Sequence, residues 1–157
     1  MKRFFFLLII QIMLISCVRS QIPPVTKTLP KTSPIRVVSA YLDALKNNDF
    51  RKAYSYITFF YAGNLDPESY ELNMKRGFVE KYHWELLDYE IEGVQVFGDQ
   101  AYVTAVLKVN FKPLNSSEIV NRNLDIQYIL SSIDSKWKIN ADDLLEKDLT
   151  SSHPESE

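Results

Sequence analysis

The apolar positions of this 157-residue chain fall into three regimes: one unbroken run, a stretch with helical spacing, and a stretch that alternates. The run is Phe4 to Ile15, FFFLLIIQIMLI, interrupted only by Gln11. Helical spacing begins at Ser33-Pro34, an N-cap residue followed by proline at the first helical position. Ile35, Val38, Leu42 and Leu45 then recur three or four residues apart, with Tyr41 widening the stripe, which predicts a first amphipathic helix. Asn47-Asn48 ends it. Asp49 can cap a second helix with Phe50, Ala53, Tyr54 and Ile57 facing inward. A third helix is expected where Asp66 caps, Pro67 opens, Glu68 and Glu71 occupy the first turn and Lys75 and Arg76 the last. That charge order complements the helix dipole, Glu71 and Lys75 form a favourable i,i+4 pair, and Gly77 would take the C′ position.

From Trp84 the period changes to two. Leu87, Tyr89 and Ile91 alternate with Asp88, Glu90 and Glu92, and Gly93 then predicts a bulge or bend before Val94 and Val96. Gly98-Asp99 reads as a tight turn. The cleanest alternation follows: Ala101, Val103, Ala105, Leu107, Val109 and Phe111 all point one way. After a loop around Pro113 to Glu118, Leu124, Ile126, Tyr128 and Leu130 share a face, and Asp134-Ser135 turns the chain into a last strand with Trp137 and Ile139. Sequential strands joined by short turns predict an antiparallel meander, and helices followed by such a sheet predict an α+β layer architecture.

The first run has the anatomy of a leader. Lys2 and Arg3 supply positive charge ahead of it, and about a dozen apolar residues are too few for a membrane-spanning helix. It ends in Leu14-Ile15-Ser16-Cys17, which resembles the lipobox of bacterial lipoproteins. The resemblance implies cleavage between Ser16 and Cys17 and acylation of the cysteine by diacylglycerol and a fatty acid such as palmitate. Two or more acyl chains anchor a protein stably. Val18 to Ser33 is rich in Pro, Thr and Ser without apolar periodicity, the composition of an extended spacer. Residues 1–16 are therefore expected to be a signal peptide, 17–33 the lipidated cysteine with its tether, 34–148 the folded domain and 149–157 a disordered polar tail. This predicts a location in the cell envelope, on the extracytoplasmic side of a bacterial membrane. Val18 does not carry the aspartate that retains many lipoproteins in the inner membrane, so an outer-membrane location is allowed.

The run from Tyr41 to Tyr54, YLDALKNNDFRKAY, resembles the opening of NTF2-like domains of the cystatin-like superfamily. Members begin with an amphipathic helix carrying such a Tyr-Leu-x-Ala-Leu run, then a polar break and Asp-aromatic-x-x-Ala-Tyr. The resemblance implies a cone in which a curved sheet wraps helices and leaves a pocket at its open end. Some members are acid–base enzymes built around a pocket Asp, Tyr or His, and many are not catalytic, so the resemblance alone assigns no reaction.

Composition narrows the function classes. Without Lys2 and Arg3, 16 basic side chains stand against 20 acidic ones, a net charge of −4, which argues against nucleic acid as a partner. The one cysteine leaves no intramolecular disulfide, and two histidines without metal-ligand spacing call for no metal. The isolated glycines form neither a phosphate loop nor a dinucleotide fingerprint, so no cofactor is expected. Candidate pocket residues are His83, the one histidine of the body, Tyr54 and Tyr128. The simpler reading of His83 is a surface histidine at a strand start. The aromatic cluster Tyr54, Tyr56, Phe59, Phe60 and Tyr61 could line an apolar pocket, although its simpler role is to plug one end of the cone. The leading expectation is a non-catalytic domain binding a small apolar ligand or an envelope protein. The rivals are a small acid–base enzyme using His83, Tyr54 or Tyr128, and a homodimeric assembly subunit with Tyr102 and Val106 at its interface.

Overall fold

A computed structural model describes residues 30–59, 65–113 and 116–141; the expected leader, Cys17, most of the expected tether, the end of the expected domain from residue 142 and the expected tail lie outside the described residues. Helix α1 (Pro34–Lys46) starts at Ser33 and Pro34 as the sequence predicts. Its buried side includes Val38, Tyr41, Leu42 and Leu45, together with Val37 and Ala44, so the stripe is wider than the periodicity suggests, while Ile35 is half-buried. Asp49 caps α2 (Phe50–Tyr54) by accepting from the Lys52 N–H. Ile57 is not on this helix. It opens strand β1 (Ile57–Thr58), because the helix stops after five residues and the chain extends.

Asp66 caps α3 (Pro67–Asn73), accepting from the N–H groups of Glu68 and Ser69 and from the Ser69 hydroxyl. Gly77 does not end this helix. The helix widens into a π-helical segment (Met74–Glu80) with Gly77 inside it, and helical backbone continues to Tyr82. The left-handed residue that stops it is His83, at φ 47°. The Trp84 N–H then donates to the Phe78 carbonyl at 3.1 Å, one residue wider than the usual Schellman closure, as the π winding requires.

Strands β2 (Glu85–Phe97), β3 (Gln100–Phe111), β4 (Val120–Ile133) and β5 (Lys136–Asn140) form the predicted antiparallel meander. The short β1 adds to β5 in parallel, giving an open five-stranded sheet of order β1-β5-β4-β3-β2 and making it mixed. Register in β2 slips twice against β3, at Leu87 and at Glu92 just before Gly93. The second slip is the predicted bulge. The first turns Leu86, rather than Leu87, into the core opposite Val109. Both bend the sheet around α1.

The core lies between α1 and the concave sheet face. Ala101, Val103, Ala105, Leu107 and Val109 of β3 are all buried, and the two alanines let the helix approach closely. Polar clamps border this layer: Lys46 pairs with Asp88 at 3.1 Å, and the Tyr89 hydroxyl donates to Asp43 at 2.8 Å. Asp134 and Ser135 both take positive φ (48° and 59°) between the paired residues Ile133 and Lys136, a type I′ hairpin. Glycine adopts the second of these positions freely. Ser135→Gly is therefore expected to raise stability by about 0.5–1 kcal/mol in thermal unfolding, and an unchanged melting temperature would count against this turn assignment.

Candidate functional site

The described residues enclose a cavity of about 230 Å³ between the open end of the sheet and the helical layer. Tyr41 and Leu45 of α1 form one wall. Tyr70, Asn73, Met74 and Phe78 come from α3 and its π segment, which is how a wide helical turn presents residues to a site. Leu107, Leu124, Ile126 and Tyr128 rise from β3 and β4, and Ile57, Phe59, Leu65, Trp84 and Ala141 close the ends. Asn73 and Gln127 are exposed at the rim.

Among the described residues that line it there is no Asp, Glu, Lys, Arg or His. The polar atoms further in are tyrosine hydroxyls. Tyr128 is 2% exposed and packs edge-on to Tyr41, with ring centroids 6.0 Å apart. Tyr70 is 8% exposed and packs against Tyr54, with ring centroids 5.5 Å apart and planes tilted by 55°. Burial pushes the Tyr70 phenol above its ordinary value, while a hydrogen bond from the Tyr41 hydroxyl, which favours the phenolate, pulls the other way.

Of the three residues proposed from sequence, only Tyr128 lines this cavity. The Tyr54 hydroxyl donates to the Leu65 carbonyl at 2.5 Å, so its ring supports Tyr70 from behind. His83 is exposed at the helix stop and is not a lining residue. The three do not converge on one point, which removes the geometry an acid–base site built from them would need. Phe59 of the aromatic run does line the cavity, whereas Phe60 and Tyr61 lie outside the described residues. Arg122 is exposed at its strand end, 6.0 Å from the Phe111 ring. The sequence reading missed Tyr70, Met74, Phe78 and Trp84. Their signal would have been an apolar and aromatic face continuing through and beyond Gly77.

Elsewhere, Tyr102 and Val106 are half-buried on the outer sheet face, as their alternation with the core residues requires. Phe97, 63% exposed, meets Tyr102 at 6.1 Å. Among the described residues no group of three His, Cys, Asp or Glu could hold a metal ion, and no helix is long and apolar enough to cross a membrane.

No family model matches the chain, and no curated protein matches it. Solved structures do. A ketosteroid isomerase-like protein from Erwinia carotovora atroseptica SCRI1043 superposes with a TM-score of 0.50 at 16% identity, over 67% of this chain and 86% of its own. An NTF2-like protein of unknown function in nutrient uptake from Rhodospirillum rubrum ATCC 11170 gives 0.48 at 11% identity, over 69% and 93%. An NTF2-like protein from Cytophaga hutchinsonii ATCC 33406 gives 0.47 at 12% identity, over 67% and 88%. Identities this low speak to fold alone: an α+β chain with helices laid on a curved, open sheet, whose structural neighbours include NTF2-like proteins.

Proposed function

We propose that this chain is a membrane-anchored, extracytoplasmic lipoprotein whose NTF2-like domain binds a small apolar ligand without transforming it. The observation that carries the binding reading is the cavity, whose described lining residues are apolar or uncharged. An enclosed apolar void of 230 Å³ would cost about 5 kcal/mol at roughly 24 cal/mol per Å³, as much as a small domain's whole stability. The open side lowers that cost by admitting solvent, but apolar walls give water few partners. A ligand is the better filling. A binding role is preferred because the described lining residues include no carboxylate, histidine or lysine to pair with the tyrosines as acid and base.

The anchoring half of the proposal rests on the leader and on Leu14-Ile15-Ser16-Cys17. Cells fed radiolabelled palmitate should label the wild-type chain and not Cys17→Ser, and the variant should leave the washed membrane fraction. Label retained by Cys17→Ser would overturn the lipid assignment. Native mass spectrometry of the full chain from its own host should also show a bound neutral compound. A second reading, a homodimer through the outer sheet face, is favoured by the exposed Phe97 beside Tyr102. It predicts a doubled mass in the same spectra, and a strict monomer at high concentration would dismiss it.

A further inference from the structure

We infer that the tip of the β2–β3 hairpin is a lipid-contact surface: Val94, Val96 and Phe97 rest in the headgroup layer of the membrane, with the cavity held at the far end of the domain. This goes beyond the anchoring reading and rests on it.

Among the described residues five large apolar side chains are exposed, and three of them crowd this one tip. Val94 is 40% exposed, Val96 47% and Phe97 63%. Register places them on both faces of the ribbon. Val94 pairs with Val103 and Val96 with Ala101, so the two valines share the concave face with these core residues. Phe97 pairs with Gln100 and lies on the outer face, against Tyr102. A partner sheet laid on the outer face would cover Phe97 and leave both valines in water. A lipid interface surrounds a projecting tip and covers all three.

The place where the chain enters the domain favours the same occupant. Lys46, the last residue of α1, pairs with Asp88 near the start of β2. The Tyr89 hydroxyl reaches back to the Ser39 carbonyl and to Asp43. Helix α1 therefore runs antiparallel to β2, and its first residue, Pro34, lies toward the hairpin end. The chain arriving there is residues 18–33, the expected tether from Cys17. Even fully extended, at roughly 3.1 Å per residue, it would span only about 50 Å, so lipidation of Cys17 keeps this end of the domain near the bilayer. Tethering makes the second contact intramolecular, and an apolar tip too small to capture lipid from solution can then hold. The cavity lies the other way: Tyr41 and Leu45 come from the second half of α1, and Leu107 and Leu124 from the ends of β3 and β4 remote from this tip.

Polar neighbours set the depth. Asp99 in the turn and Asp134 in the adjoining β4–β5 turn are exposed, and their carboxylates keep the tip out of the hydrocarbon. Tyr102, with its ring on Phe97 and its hydroxyl donating to Gln100, has the amphipathic form that suits a membrane interface.

Fluorescence quenching tests this on the full chain, purified from its own host and reconstituted in phosphatidylcholine vesicles. Phe97→Cys and, at the opposite end of the sheet, Ile119→Cys are each labelled with a thiol-reactive nitrobenzoxadiazole dye. Both positions are exposed, so neither substitution should disturb the core. Lipids carrying a nitroxide just below the headgroup are expected to quench the dye at position 97 about twofold more than the dye at position 119. Its emission should also shift to the blue. Equal quenching at the two positions, or none at either, overturns the inference. So does a blue shift without quenching, which would put protein over the tip: a second copy if the mass doubles, the chain's own segment if it does not. Should Phe97→Cys fail to fold, the exposed position Gln95→Cys reports from the same tip. Dye taken up by the wild-type chain, whose Cys17 thiol is blocked once lipidated, would instead mark failure of the anchoring reading, and the inference falls with it.

Discussion

Phe50→Ala is expected to lower the stability of the folded domain by about 3–5 kcal/mol, the usual range for truncating a buried aromatic ring to a methyl group. Phe50 is the largest fully buried side chain among the described residues and the first residue of α2. Five helical residues cannot hold themselves together, since nucleating a helix fixes several residues for one hydrogen bond. The Asp49 cap sets where α2 begins, but burial of Phe50 and Ala53 is what keeps it in place. Losing the ring also loosens the route to β1, where the Ile139 N–H donates to the Tyr56 carbonyl and Lys138 donates to that of Ser55. Small domains are typically stable by about 5–15 kcal/mol, so the variant should be partly unfolded at modest urea. The measurement is a urea titration followed by circular dichroism. A loss below about 1 kcal/mol, well under the truncation range, would mean that Phe50 is not in the core.

The features of this fold that could be read from sequence are those decided by local chemistry. Ser33-Pro34, Asp49 and Asp66-Pro67 start helices because a side-chain oxygen or a proline satisfies a nearby backbone requirement, and neighbours along the chain suffice to show it. The strand alternation from Ala101 to Val109 is equally plain, because one face of β3 is buried throughout. Gly77 misled for a physical reason. A glycine after Lys75 and Arg76 has the composition of a helix end, yet nothing local distinguishes a stop from a wide π turn. The true stop at His83 is a backbone state that histidine seldom takes. Leu86 and Leu87 are both apolar, so only pairing with Val109 across the sheet decides which turns inward. The cavity was the least legible part. Tyr41, Tyr70, Trp84, Leu107 and Tyr128 come from five separate elements or junctions, and an unfilled space has no period. Tyr70 was hidden among Glu68, Glu71 and Lys75, which mark the helix as a solvated one.

Ile126→Trp is expected to weaken binding of a neutral probe such as 4-fluoroacetophenone by about a hundredfold, while the melting temperature holds or rises. Two effects compete at this position. Forcing a larger side chain into a filled core strains rotamers and backbone at about 1–3 kcal/mol. Filling an empty space instead restores contacts that the walls lack, worth about 0.8 kcal/mol for each methylene-sized unit buried. Ile126 lines the cavity, is only half-buried, and stands in register with the small Ala105 on the concave face. The indole therefore has open volume ahead of it and little bulk beside it, so the second effect should win. The sign of the stability change reports whether the space is empty, without knowledge of the natural ligand. The affinity change then reports whether that space is where ligands bind. A destabilised Ile126→Trp would argue that the cavity is filled in solution, and unchanged affinity in a stable variant would move the binding site elsewhere.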